Sequence, residues 1–372
     1  MKGLIVIAKQ KISKHGLPET TGNFRIRGVV VGKRKNDFFK SSTQKNGLQR
    51  NSISFAVKSS ADNEVYVEIS DSEKEKAYFF KSNGKGKGGE TKSVDWDKRT
   101  VPIRNKKGVL EHPSIITFDD NENLVINKYI ESENGFNPIG VSIGLFKDED
   151  GKNVTKTFFD YDAALVLSTL IEEDLPVLIV GETDFSSMET DEGTRRYKKL
   201  KIKKIYNSSV NFEAEDFKEE SVFQQRFIFI DIEPAKKNGE IDKEDRRWIV
   251  SGKIVNYNSL EDVEFVIRKP DLAKNYKKRI KPYTAITVSG RINNRREEEK
   301  VVVEDDWGGE EVYEVVNSPR KFEFEIVSRP KDEDVTTYTE SALREAFTAK
   351  DEYNSFSSDD DDPWGDDELE FE

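Results

Sequence analysis

Residues 160–206 read DYDAALVLSTLIEEDLPVLIVGETDFSSMETDEGTRRYKKLKIKKIY, and the pattern changes twice within that span. From Tyr161 to Glu173 the apolar residues Ala163, Leu167, Leu170 and Ile171 form one stripe at helical spacing, with Asp160 placed to cap it. Pro176 to Phe185, PVLIVGETDF, reads as a strand. Asp191-Glu192-Gly193 supplies a turn, and the basic run Arg195 to Tyr206 reads as the returning strand. A helix followed by a closing hairpin is expected.

Upstream, Asn23 to Gly32 alternates, with Phe24, Ile26 and Val30 on one face and Arg25 and Arg27 on the other. Gly28 within that strand predicts a bend or a close backbone approach. Asn51 to Lys58 and Glu64 to Ile69 alternate around the turn Ala61-Asp62-Asn63, a hairpin signal. Strand, hairpin, helix and closing hairpin is the element order of an oligonucleotide/oligosaccharide-binding (OB) barrel. Residues 70–157 interrupt it as an insertion with its own strands, among them Asn123 to Ile130 and Ile139 to Leu145. Before it all, Gly3 to Ala8 predicts a short strand and Gly16-Leu17-Pro18 a turn.

The order then repeats. Phe227 to Ile232, Trp248 to Tyr257 and Asp262 to Arg268 read as strands, Asp271 to Lys278 as a short helix, and Tyr283 to Ile292 and Phe322 to Val327 as strands. Val177 to Glu182 parallels Ala285 to Arg291, each with glycine near its end, and Lys199 to Ile205 parallels Lys321 to Val327. The fold class expected is mainly β: two OB-fold-like β-barrels in tandem, the first with a large insertion, plus a disordered acidic tail. The domains are 1–210 (insertion about 70–157), 211–330, a linker over 331–350 and the tail 351–372. Within the linker, Thr339 to Lys350 suits a short helix, with Thr337 and Glu340 at capping-box spacing.

The tail reads DEYNSFSSDDDDPWGDDELEFE. The chain carries 60 Lys+Arg and 72 Asp+Glu, and eleven of those acids lie in the tail with no base, so the rest of the chain is near neutral. A like-charge block repels itself and often serves in interaction. Trp364, Leu369 and Phe371 sit among the carboxylates, including Asp359, Asp360, Asp361 and Asp362, which favours a peptide ligand, with a purely solubilising run as the alternative. There is no cysteine, which excludes disulfides and thiolate metal sites and fits a reducing, cytoplasmic setting. His15 and His112 are far apart in loop contexts. No apolar stretch approaches the ~20 residues of a membrane helix. No nucleophile elbow, zinc-protease or P-loop motif is present, and no cofactor or metal is implied.

The acidic tail with its aromatic tip resembles the tails of bacterial and phage single-stranded DNA-binding proteins. That resemblance implies an OB body that binds single strands, and a tail that competes with DNA and recruits replication and repair enzymes. Single-strand binding needs cations along a groove and flat rings for stacking. Lys33, Arg34, Lys35, Phe38, Phe39 and Lys40 supply both in the first barrel loop. Arg25, Arg27, Tyr66, Arg195, Arg196, Tyr197, Lys199, Lys201 and Lys203 fall on or beside the face that such loops flank. In the second barrel Trp248, Tyr257, Tyr276 and Trp307 are available with Arg246, Arg247, Lys253, Arg291, Arg295 and Arg296, but acidic runs crowd its last loop. The function expected is sequence-non-specific single-stranded DNA binding in replication or recombination, of phage type and without catalysis. The rivals are an assembly protein whose tail mimics nucleic acid, and a metal-dependent nuclease.

Overall fold

In a computed structural model of the chain, the described residues are 11–33, 38–84, 88–105, 107–120, 123–191, 193–237, 239–242, 245–295, 298–303, 312–317 and 320–348. The strand expected at Gly3 to Ala8, the cations Arg34, Lys35 and Arg296, Trp307 and the whole tail 351–372 lie outside them.

The first half is built from β1 (Gly22–Val31), β2 (Phe39–Thr43), β3 (Gln49–Lys58), β4 (Glu64–Ser72), α1 (Asp160–Leu170), β5 (Pro176–Thr190) and β6 (Gly193–Asn207). β1 pairs antiparallel with β3, β3 with β4, and β5 with both β1 and β6. β4 meets β6 in parallel at Glu68 and Lys201, which closes a ring of five strands. Alternation explains the inside of the ring. Phe24, Ile26, Val30, Ile53, Phe55, Val57, Val65, Val67 and Ile69 are buried, each contributing about 1.5–3 kcal/mol of apolar transfer. Gly28 is the close approach its position predicted, since a Cβ there would overlap the carbonyl oxygen of Lys58.

The second half repeats the plan with β7 (Glu220–Pro234), β8 (Trp248–Val255), β9 (Leu260–Ile267), α2 (Pro270–Arg279), β10 (Thr284–Arg295) and β11 (Lys321–Ile326). β7 pairs with β8 and β10, β8 with β9, β10 with β11, and β9 meets β11 in parallel at Val266 and Glu325. The two rings match in detail. A Cβ on Gly181 would overlap the Lys201 carbonyl and press on Phe24; a Cβ on Gly290 would overlap the Glu325 carbonyl and press on Phe223. β1 and β7 pair antiparallel from Gly22–Gln225 to Arg27–Glu220, joining the rings edge to edge.

Three expectations need correction. α1 ends at Leu170, because Ile171 is extended (φ −73°, ψ 127°), although Ile171 continues the buried stripe. Asp160 does not cap: it lies in the first turn and its carboxylate pairs with Lys203 at 3.3 Å. Within the linker over 331–350, residues 331–348 pack on the body. Glu333–Asp334 pairs with β10, Tyr338 is fully buried with its hydroxyl donating to the Pro18 carbonyl at 3.0 Å, and α3 (Glu340–Thr348) packs on the body. Leu343 and Phe347 of α3 belong to one apolar cluster with Leu17, Ile230, Leu260 and Tyr283. Its capping hydroxyl is Thr339, which accepts from the Ala342 amide at 3.2 Å, rather than Thr337.

The insertion forms short hairpins over an aromatic cluster of Phe79, Trp96, Tyr129, Phe158 and Phe159. Of its expected strands, Asn123 to Ile130 shortens to Leu124–Ile126, while Ile139 to Leu145 shifts by two residues to Val141–Lys147, which pairs in parallel with β6.

Candidate nucleic-acid interface

The open wall of the first ring is made by β2, β3, β4 and β6. Because Ile53, Phe55, Val65, Val67 and Ile69 point inward, Arg50, Ser52, Ser54, Tyr66, Glu68 and Ser70 point outward. Lys40 lies across from Ser52, and Lys201 stands in register with Glu68. Arg50 Nε donates to Ser70 Oγ at 2.9 Å. Lys199 Nζ is 3.3 Å from Glu68, and Lys201 Nζ is 3.0 Å from Asp184. Tyr66 is 41 % exposed and Tyr197 37 % exposed. Two rings and four cations therefore share one outward surface, and part-exposed ion pairs of this kind are weak enough to exchange carboxylate for phosphate.

Other expected site residues sit elsewhere. Arg25 and Arg27 point outward from β1 as their alternation requires, but both converge on Glu220 of β7, at 2.5 and 2.9 Å, and so staple the seam between the rings. Lys33 is held at the far end of α1: its Nζ pairs with Glu172 at 2.9 Å, and its amide and that of Gly32 donate to the Glu173 carboxylate. Lys203, beside a register shift in β5–β6, is occupied by Asp160. Arg195 is exposed at the tip of the β5–β6 hairpin.

The phenylalanine pair is a correction. Phe38 is 8 % exposed and packs against Phe55 at 6.4 Å; Phe39 pairs with Ile53 and packs on the same core. The Phe38 ring is not free to take a base, because the loop folds back as β2 and buries it, while the half-buried Phe39 ring leans on the same core. Phe38→Ala is therefore expected to cost about 3–5 kcal/mol of stability, read by chemical denaturation, and to leave oligonucleotide affinity per folded molecule unchanged.

The second ring's equivalent wall is closed and acidic. The β5–β6 hairpin extends past its own ring and lies along β9: Arg196 pairs with Asp262 at 3.3 Å, Lys198 Nζ donates to the Glu264 carbonyl at 3.3 Å, and Ser187 Oγ donates to Glu261 at 2.5 Å. Burial there pushes the Lys198 ammonium below its ordinary value, against the pull of Glu264 and Glu323. The reciprocal contact is Arg320 with Glu64 at 2.9 Å. Of the second-ring candidates, Arg247 pairs with Asp245 and Glu323, Lys253 with Asp262, and Arg295 with Asp62 and Glu219. Tyr276 is buried with its hydroxyl donating to the Ser328 carbonyl at 2.8 Å, and burial pushes that hydroxyl's pKa up. Trp248 is half-buried, while Tyr257, Arg246 and Arg291 are exposed.

Among the described residues no group of three or more His, Asp or Glu side chains is placed to hold a metal ion, and no helix is long and apolar enough to cross a membrane.

A family model described as YorF matches residues 81–360, about three quarters of the chain. The chain belongs to the YorF family. No curated protein matches it. Among solved structures it is similar to the wild-type single-stranded DNA binding protein from Thermus aquaticus, at 9 % identity over 84 % of this chain and 93 % of that one, with a TM-score of 0.35. A deletion variant of the same Thermus protein gives 9 % identity, 85 % and 97 % coverage and a TM-score of 0.36.

In this YorF-family chain the sequence reading missed Arg50 and Asn63. Arg50 was legible, since it falls in phase with Ser52 and Ser54. Asn63 looked like an ordinary turn residue, yet it is fully buried between the rings, donating to Glu219 at 2.6 Å and to the Ile292 carbonyl at 3.0 Å and accepting from the Asn294 amide at 2.7 Å. No local pattern could have revealed that, because its partners come from the second ring.

Proposed function

We propose that this protein binds single-stranded DNA without sequence preference on the open wall of the first ring, and that it serves DNA replication or recombination without catalysis. The observation that carries this reading is the shared surface of Tyr66 and Tyr197 with Lys40, Arg50, Lys199 and Lys201. Stacking rings and backbone-tracking cations together are what an unpaired strand requires. The strand order and the helix between the third and fourth ring strands suit OB-type barrels, whose second and third strands form the binding face. We take the rings as tandem OB-type domains, 1–210 and 211–330, in a phage-type protein acting in the host cytoplasm, with the segment 351–372 recruiting replication enzymes through Trp364, Leu369 and Phe371.

The test is a polarisation titration of labelled oligo-dT with and without Mg²⁺. Saturable binding with intact substrate supports the reading; no binding favours an assembly role; metal-dependent loss of substrate favours a nuclease. Tyr66→Ala should weaken binding by about 1–3 kcal/mol, roughly fivefold to 150-fold, if its ring stacks on a base. Unchanged affinity would remove Tyr66 from the site.

A further inference from the structure

α2 presents a cationic surface that neither the packing of the second ring nor the single-strand reading uses. Its buried residues Ala273 and Tyr276, with Ile280 just past its end, turn into the ring. Lys274, Lys277 and Lys278 stand at i, i+3 and i+4 and so share the outward face. All three are exposed, as are Lys269, Arg279 and Lys281. Asp271 is the one acid between residues 269 and 281. The surface continues into a groove of about 770 Å³ between α2 and residues 328–333, whose lining includes Arg279, Arg329 and Lys331 against one acid, Glu333. Among the described residues no carboxylate is within ion-pair distance of Lys274, Lys277, Lys278, Arg279 or Arg329, and the acids nearby are committed: Glu233, which feels the charge of Lys277, pairs with Lys236, and Asp332 pairs with Arg226.

Helix electrostatics does not account for this run. The carbonyl end of a helix favours cations in its last turn, which covers Lys277, Lys278 and Arg279. Lys269, however, stands at the amide end, where the dipole opposes it, and Lys274 lies in mid-helix. Unpaired like charge at this density repels itself, and a polyanion relieves that repulsion.

The class of polyanion follows from the rest of the surface. Among the described residues, the exposed large apolar side chains all lie away from α2 and from the groove lining. Protein interfaces are built around aromatic and apolar anchors and are depleted in lysine, so an acidic protein finds no anchor pocket here. An unpaired strand needs rings for its bases, and the groove's aromatic residue, Tyr276, is buried with its hydroxyl donating to the Ser328 carbonyl. A duplex hides its bases and presents phosphates, one per about 3.4 Å on each strand. The ten residues of α2 make a rod about 15 Å long, the axial length of about four such phosphates.

We infer that the cationic face of α2, with the adjoining groove rim, binds the phosphate backbone of double-stranded nucleic acid without reading its sequence. The protein thereby has separate surfaces for an unpaired strand and for a duplex.

A labelled blunt DNA duplex, titrated by polarisation with the full-length protein beside labelled oligo-dT, tests this. Lys274→Gln with Lys277→Gln and Lys278→Gln removes three charges from exposed positions and keeps good helix formers there, so the fold is retained. Duplex affinity at low salt should fall about 30-fold, roughly threefold per lysine, the scale of exposed charge pairs. The salt slope should shrink by about 2.7, at about 0.9 per phosphate. Arginine at the same three positions should restore both. Oligo-dT affinity should be unchanged in the glutamine variant, and Lys199→Gln with Lys201→Gln should weaken oligo-dT binding while leaving the duplex bound. Duplex binding through α2 without any oligo-dT binding would sink the first-ring reading and leave this inference standing. Absence of duplex binding at low salt overturns it, as does loss of duplex affinity from the Lys199 and Lys201 pair alone. Equal losses for duplex and oligo-dT in the helix variant make α2 part of a single-strand path and overturn it too. Polyglutamate that displaces the duplex at a lower charge concentration than unlabelled duplex does assigns the face to an acidic protein, and the inference fails.

Discussion

Asp162→Ala is expected to destabilise the protein by about 3–5 kcal/mol, the cost of leaving a buried charge without its partner. Asp162 sits in the first turn of α1 with its side chain 1 % exposed, and the Arg99 side chain is 11 % exposed. Arg99 donates twice to the carboxylate, Nε at 2.9 Å and Nη2 at 2.8 Å, and Tyr129 Oη donates to it at 2.8 Å. Burial, with the neighbouring Asp162 charge, pushes the Tyr129 hydroxyl well above its ordinary pKa, so it remains a donor. Arg99 also lies over the Trp96 ring at 4.4 Å and bonds its carbonyl at 2.9 Å. One carboxylate thereby ties the insertion, through Arg99 and Tyr129, to the helix that plugs the first ring. Denaturant titration with limited proteolysis should show the segment 76–158 cleaved first in the variant. Asp162→Asn, which keeps an acceptor but loses the charge, should fall between. A loss under about 1 kcal/mol for Asp162→Ala would mean that apolar packing alone holds the insertion.

The second large effect is on binding. Lys199→Gln with Lys201→Gln should lower oligo-dT affinity by about 100-fold at low salt, since two charge-assisted contacts at about 1.5 kcal/mol each amount to roughly two decades. Four cations on the wall imply a salt slope of about −2.8, at about −0.7 per phosphate on a single strand, and the double variant should reduce it to about −1.4. Glutamine is chosen because glutamate would stand beside Glu68 and Asp184 and strain the sheet. A parallel loss for Arg25→Gln with Arg27→Gln is not expected, because those side chains already serve Glu220. An unchanged slope for the lysine pair would move the phosphate path off this wall.

Much of the fold was legible because each ring strand has a buried and an exposed face. Phe24, Ile26 and Val30 against Arg25 and Arg27, and the hairpin on either side of Asn63, carry a period of two that only a strand satisfies. The matched glycines Gly181 and Gly290 marked the repeat, and the structure shows why both lack a side chain. The insertion was not legible, since several of its strands, such as Ile103–Arg104 and Ile116–Phe118, are too short to display any period. The candidate site was half legible. Alternation puts Arg25 outward but cannot say that Glu220 arrives from the other ring to neutralise it. Adjacent Phe38 and Phe39 in a basic run look like a stacking platform, and only the return of β2 onto β3 shows them to be core. Arg196 looks like a groove cation, yet the hairpin carries it, together with Lys198, onto β9.

The central claim, that an unpaired strand lies on the wall formed by β2, β3, β4 and β6, is tested most directly by photocrosslinking the full-length protein to oligo-dT bearing 5-iodouracil and mapping the adducts by mass spectrometry. The account predicts adducts at Tyr66 and Tyr197. Adducts confined to Trp248 or Tyr257 of the second ring, with Tyr66 and Tyr197 unmodified, would contradict it.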